Sequence, residues 1–190
     1  MSETCMMQGY AFAERNGTAM KFKKTFPKIR ADLCRINAKT TIIAAAAVLI
    51  VGFLVFISVG RSRIYSCLLL PSFAPPRIIF PIVWTILYLL IGGCAGAVYG
   101  VRDKCFETLK YKSLLFFVLM LFLNYVWYPV FFGAGARFIA LIICGALIAI
   151  TLPIRVMFGK FFHTAKLIMT VYLVWLCFSF LLCLAIVLIN

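Results

Sequence analysis

With 190 residues the chain is long enough for one domain, but its 65% hydrophobic content and mean hydropathy of +1.10 lie far outside the roughly 45–50% apolar usage of soluble domains. This excludes an ordinary water-soluble class and points to lipid as the solvent. The net charge of +14 is concentrated in a tail beside a hydrophobic run, where anionic headgroups attract each lysine by about 1 kcal/mol; membrane topology and lipid contact account for it, and no nucleic-acid partner is expected.

Residues 1–39 have no sustained apolar period and are rich in lysine, which predicts a flexible or surface-lying basic tail. From there the charged residues cut the chain into uncharged runs at 40–60, 78–101, 113–136, 138–154 and 167–190. Each is near the ~20 residues that a spanning helix needs. The expectation is an all-α membrane protein, a bundle of five transmembrane helices over residues 40–190, with the fourth run the shortest. The first run is read as a retained span, because its apolar core exceeds the about 7–15 residues of a cleaved signal.

Sorting the 19 basic residues by side gives eight in the tail (Arg15, Lys21, Lys23, Lys24, Lys28, Arg30, Arg35, Lys39), four in a 102–112 loop and three in a 155–166 loop. Only Arg61, Arg63, Arg77 and Arg137 fall on the other side. Fifteen against four predicts a cytoplasmic N-terminus and a C-terminus on the opposite side. Such a bias suits a bacterial cytoplasmic membrane, with an organellar membrane as the alternative.

The longest connection on the non-cytoplasmic side, RSRIYSCLLLPSFAPPR over 61–77, is the one with clustered prolines. Proline biases its predecessor away from the α conformation, so Pro71, Pro75 and Pro76 make a stiff, extended entry to the second helix. Pro81 falls near that helix's first turn, where a missing N–H costs little. Further along, Gly92, Gly96 and Gly100 form two overlapping GxxxG steps, a face that allows close helix approach; packing within the bundle is favoured two to one over a homodimer seam.

Membrane tryptophans usually sit in the interfacial belt. Here Trp84 lies about 10 Å from Arg77, Trp127 about 15 Å before Arg137 and Trp175 about 13 Å after Lys166, at ~1.5 Å rise per residue. Indoles that deep prefer a bundle interior with a hydrogen-bond partner. Each comes from a different helix and has polar company on its own face: Tyr88 with Trp84, Asn124 with Trp127, Tyr172 and Ser179 with Trp175. Two readings stay open at this point. An aromatic-walled cavity with a few polar groups suits a flat hydrophobic small molecule; equally, these residues could glue helices, with Asn124 as an interhelical hydrogen bonder worth ~0.6–2 kcal/mol.

All five acids, Glu3, Glu14, Asp32, Asp103 and Glu107, fall outside the spans on the cytoplasmic side, which argues against proton relays and buried-charge ion coupling. His163 stands alone in a basic segment, and the eight cysteines contain no CxxC pair; neither a metal site nor a disulfide framework is indicated. No nucleophile and base pair is assignable, so no catalytic residue and no cofactor is expected.

PSFAPPRIIFPIVWTILY (71–88) resembles the loop and second-helix signature of the translocator protein or tryptophan-rich sensory protein (TspO/MBR) family, usually PSWxPPxWVFGPVWTxLY. LNYVWYPVFFGAGAR (123–137) is similar to that family's third-helix LNxxWxPxFFGxR, and YLVWLCF (172–178) resembles its fifth-helix YLAWxxF. The likeness covers about 60–190. It implies a five-helix bundle, commonly dimeric, whose pocket is closed by the first loop and binds porphyrins or other planar hydrophobic ligands. Carried over, the ligand-binding residues would be Tyr65 and Pro75 from the loop, Trp84 and Tyr88 from helix two, Asn124 and Trp127 from helix three, and Trp175 and Ser179 from helix five. Phe73 and Ile78 stand where the family generally has tryptophan, and Cys183 where asparagine is usual; no Lys or Arg follows Tyr172, so the proposed cholesterol motif is absent from the last helix. The functional expectation is a membrane receptor or regulator of tetrapyrrole-like ligands. The alternatives are tryptophan-assisted porphyrin degradation and small-molecule export.

Overall fold

A computed structural model describes residues 36–59, 69–76, 78–103 and 106–190. Most of the basic tail, together with Tyr65 and Arg77, lies outside the described residues. Within them are five helices long and apolar enough to cross a membrane: α1 (Ala38–Val59), α2 (Ile79–Tyr99), α3 (Glu107–Tyr128, continued as a wider turn over Pro129–Gly133), α4 (Arg137–Phe161) and α5 (His163–Ile189). An all-α bundle of five spanning helices is therefore the architecture.

The ends of the helices depart from the uncharged runs. The fourth element is not short: α4 runs for 25 residues through Arg155 and ends just after Lys160, with Pro153 inside it. The expected 155–166 loop shrinks to a break at Phe162, whose backbone is extended at φ −140° and ψ 130°. Likewise α3 begins at Glu107, inside the expected 102–112 loop. Charges mark where apolar solvent ends, not where backbone hydrogen bonding ends; long basic side chains can leave the lipid while their helix continues. Arg155 shows this, donating from Nε to Thr170 Oγ1 at 2.7 Å and so tying α4 to α5.

Helix α1 packs chiefly on α2, α4 runs along α5 and α3, and α2 also meets α5. The α1–α2 seam is the glycine face. A Cβ on Gly96 would overlap the Thr40 carbonyl oxygen, and one on Gly92 would lie 2.9 Å from Ala45 Cα. The stripe is thus occupied by a helix of the same chain, as small residues permit when backbones approach closely. On α1, Gly52 leaves room for the Tyr88 ring, and Tyr125 Oη donates to the Val48 carbonyl at 2.6 Å, joining α3 to α1.

The larger core joins Leu87, Ile91 and Val98 of α2 to Phe117 and Met120 of α3, Ile154 and Phe158 of α4, and Met169 and Tyr172 of α5. A second, towards the loop end, holds Trp127, Phe131, Ala140, Cys144, Leu182 and Ile186. Outward-facing side chains are also apolar, among them Ile42, Phe53, Phe122, Phe138 and Val174. Apolar residues on both sides of a helix suit a bundle surrounded by acyl chains.

Candidate functional site

The three indoles converge. Trp84 of α2 has its ring centroid 6.5 Å from Trp127 of α3 and 6.4 Å from Trp175 of α5, the latter nearly perpendicular at 87°. Tyr88 at 5.4 Å and Tyr172 at 6.5 Å complete the circle around it. Offset and edge-to-face pairs at these separations match the ring quadrupoles and are worth about 0.5–1.5 kcal/mol each beyond burial. The inward facing expected from spacing is what the structure shows: the rings point at one another across three helices.

Below the indoles a polar chain crosses the bundle. Tyr88 Oη donates to Asn124 Oδ1 at 2.7 Å, and Asn124 Nδ2 donates to Tyr172 Oη at 2.8 Å. Asn124 is buried, and with a carboxamide end committed to each tyrosine it fastens α2, α3 and α5 together. Of the two roles open for Asn124, this geometry supplies the interhelical one.

Trp127 owes its place partly to the backbone just beyond it. Pro129 has no N–H to return to the carbonyl one turn earlier, and the helix widens: Ala134 N–H donates to the Pro129 carbonyl at 2.9 Å, five residues back. Such π-type turns are frequent at functional sites. Here the widened segment stacks Phe131 on Trp127, centroids 5.3 Å apart and 18° from parallel, with Phe132 edge-on at 6.1 Å. Phe80 of α2 and Phe178 of α5 flank Trp175 at 6.2 and 5.3 Å. Sequence reading missed these phenylalanines, although Phe80 precedes Trp84 by four residues and Phe131 follows Trp127 by four, the spacing of one helical face.

Among the described residues three buried side-chain donors have no hydrogen-bond partner: Nε1 of Trp127, Nε1 of Trp175, and Nε of Arg137 at the start of α4. Trp127 Nε1 lies beside the Cys144 thiol, a weak acceptor at best. Ser179, also buried, lines a gap with Phe80, Trp127, Phe132, Leu182 and Cys183. That gap measures only about 20 Å³, room for about one water, because the rings fill the interior themselves.

Above, the connecting segment turns tightly, with Ala74 N–H donating to the Pro71 carbonyl at 2.9 Å. Ala74 packs on the second core and Pro75 is half-buried beside it. The structure therefore assembles Trp84, Tyr88, Asn124, Trp127, Trp175 and Ser179 in one region and sets Pro75 in the loop at that end of the bundle. Tyr65 is outside the described residues.

Residues 41–189 match the TspO/MBR family. The chain is 30% identical over 115 residues to the tryptophan-rich protein TspO of Chlorobaculum tepidum, covering 60% of this chain and 72% of that one. It is 29% identical over 159 residues to the protein of the same name from Archaeoglobus fulgidus, covering 82% and 99%. With protein CrtK of Rhodobacter capsulatus it shares 35% over 69 residues, which span 36% of this chain and less than half, 42%, of that relative. Five spanning helices, the deep indoles on three of them, and a family match over most of the length lead to one conclusion: the chain is a multi-pass integral membrane protein of the TspO/MBR family.

Proposed function

We propose that the protein is a membrane receptor or regulator that takes a planar, hydrophobic, tetrapyrrole-like ligand between α2, α3 and α5, from the side of the proline-rich loop. The observation that carries this reading is the pair of unpartnered indole N–H groups, on Trp127 and Trp175, within one aromatic cluster. A buried donor without an acceptor costs about 1–3 kcal/mol, and a porphyrin brings both a broad aromatic face and carboxylate or nitrogen acceptors.

Small-molecule sites usually enclose about 300–1,000 Å³, far more than the gap of about 20 Å³ beside Trp127. The proposal therefore requires an opening step, in which Phe80, Phe132 and the indoles move apart to admit the ligand. The basic bias of the tail and of the helix ends near Lys110 and Lys160 supports a cytoplasmic N-terminus, which puts the loop and the site's mouth on the opposite side.

Titrating the full-length protein in lipid nanodiscs with protoporphyrin IX tests the proposal. Saturable quenching of tryptophan fluorescence that weakens in Trp84→Ala is expected, and no quenching at micromolar ligand overturns it. Recovering the porphyrin afterwards separates a receptor, which returns it unchanged, from an oxidative activity, which returns it bleached.

A further inference from the structure

At the other end of the bundle, where α1 begins, α2 ends and α3 begins, lies a cleft of about 270 Å³ whose walls include Asn37, Thr40, Tyr99, Arg102, Lys110 and Tyr111. Its chemistry is unlike the aromatic region. Lys110 Nζ donates to the Val101 carbonyl at 3.1 Å, which holds the ammonium at the cleft and leaves two of its three donors uncommitted. The ammonium also sits 5.1 Å from the centre of the Tyr111 ring. Asn37 accepts a hydrogen bond from the Lys39 N–H through Oδ1 at 3.1 Å, so its NH₂ is the end left for another group. Asp103 and Glu107 are the acids on these elements, and neither is among the residues that wall the cleft. Tyr99 and Tyr111, 59% and 55% exposed, present their rings where the α2 and α3 spans meet the membrane surface, the level at which amphipathic rings settle.

We propose that this cleft binds a phosphate oxyanion, held by Arg102 and Lys110 with hydroxyl and amide donors from Tyr99, Tyr111 and Asn37. Its position at the lipid boundary favours the headgroup of an anionic phospholipid as the source of that phosphate. Arg102 and Lys110, the latter with two donors still open, wall one concave space, and a phosphodiester offers both of them charge-assisted hydrogen bonds. The site lies at the opposite membrane face from the indole cluster, so it operates independently of the ligand reading above.

The test uses the full-length protein in phosphatidylcholine nanodiscs with and without phosphatidylglycerol, then counts phosphatidylglycerol retained on the released protein by native mass spectrometry. Arg102→Gln, an exposed change that leaves the fold intact, and Lys110→Gln are each expected to lower retention about fivefold, the size expected for one cation near an anionic surface. Lys160→Gln with Lys166→Gln removes two charges at the same face outside the cleft and is expected to leave retention unchanged. Equal losses in both sets overturn the site in favour of general surface attraction. A third arm adds inorganic phosphate: failure to displace the lipid supports the headgroup, and full displacement at millimolar phosphate overturns it as the source.

Discussion

The side chain of Asn190 and the backbone of Leu69 exchange two hydrogen bonds: Leu69 N–H donates to Asn190 Oδ1, and Asn190 Nδ2 donates to the Leu69 carbonyl, both at 3.0 Å. The carboxamide copies a peptide group and pins the loop to the end of α5, where Nδ2 also reaches the Ile186 carbonyl at 3.1 Å. Asn190→Leu removes both loop bonds, each worth about 0.5–1.5 kcal/mol net. Faster hydrogen exchange at the Leu69 amide is expected, roughly tenfold, with amides of α4 unaffected; unchanged exchange at Leu69 refutes the pinning.

Asn124 joins three helices through Tyr88 and Tyr172. Asn124→Ala leaves two tyrosine hydroxyls short of a partner, and a loss of about 1–3 kcal/mol follows, read as a lower melting temperature in nanodiscs. A double-mutant cycle with Tyr172→Phe is expected to show less than additive damage, because the second change removes a group already orphaned. Full additivity contradicts the chain of bonds.

The indole N–H of Trp127 has no geometric acceptor. Trp127→Phe deletes that donor while keeping a ring on Phe131. Removing an unsatisfied donor offsets part of the lost packing, so the melting temperature should fall less than in Trp127→Ala, while the affinity for protoporphyrin drops about tenfold, near 1.4 kcal/mol for a hydrogen bond to an ionised acceptor. Equal affinity in Trp127→Phe and the wild type denies the N–H a part in recognition.

Two glycines one turn apart offer an internal control for the α1–α2 seam. At Gly96 an added methyl would overlap the Thr40 carbonyl, whereas at Gly93 the nearest atom would be Thr41 Cγ2 at 3.6 Å, an ordinary contact. Gly93→Ala is expected to be neutral or to stabilise by up to ~1 kcal/mol through helix propensity. Gly96→Ala is expected to destabilise by about 1–3 kcal/mol as in other overpacked sites. Thermal unfolding of the two variants in the same lipid compares them directly.

The five spans were legible because lipid imposes one rule on every segment: about 20 residues without charge. The inward turn of Trp84, Trp127 and Trp175 followed from depth. The ends of α3 and α4 did not, since a helix can continue past the lipid once water and neighbouring side chains solvate it, as Arg155 does on Thr170. The glycine stripe showed a close approach without naming its partner, and Thr40 and Ala45 became visible as that partner only in three dimensions. Spacing likewise could not separate the members of the aromatic set that tie helices together from those proposed to meet a ligand. That distinction depends on which groups already have partners: both ends of the Asn124 carboxamide are bonded to tyrosines, and two indole N–H groups are open.

The tight filling around Ser179, Phe80 and Phe132 sets a thermodynamic tension. On the proposed function, a guest has to bind an expanded minority of molecules, and observed affinity is then the intrinsic value scaled by that fraction. Shaving a ring from this wall, as in Phe132→Ala, forfeits packing in the empty protein and enlarges the expanded population. On the proposed function, trimming Phe132 therefore moves heat resistance and ligand affinity in opposite directions, whereas at Trp127, whose N–H is also a ligand contact, both fall.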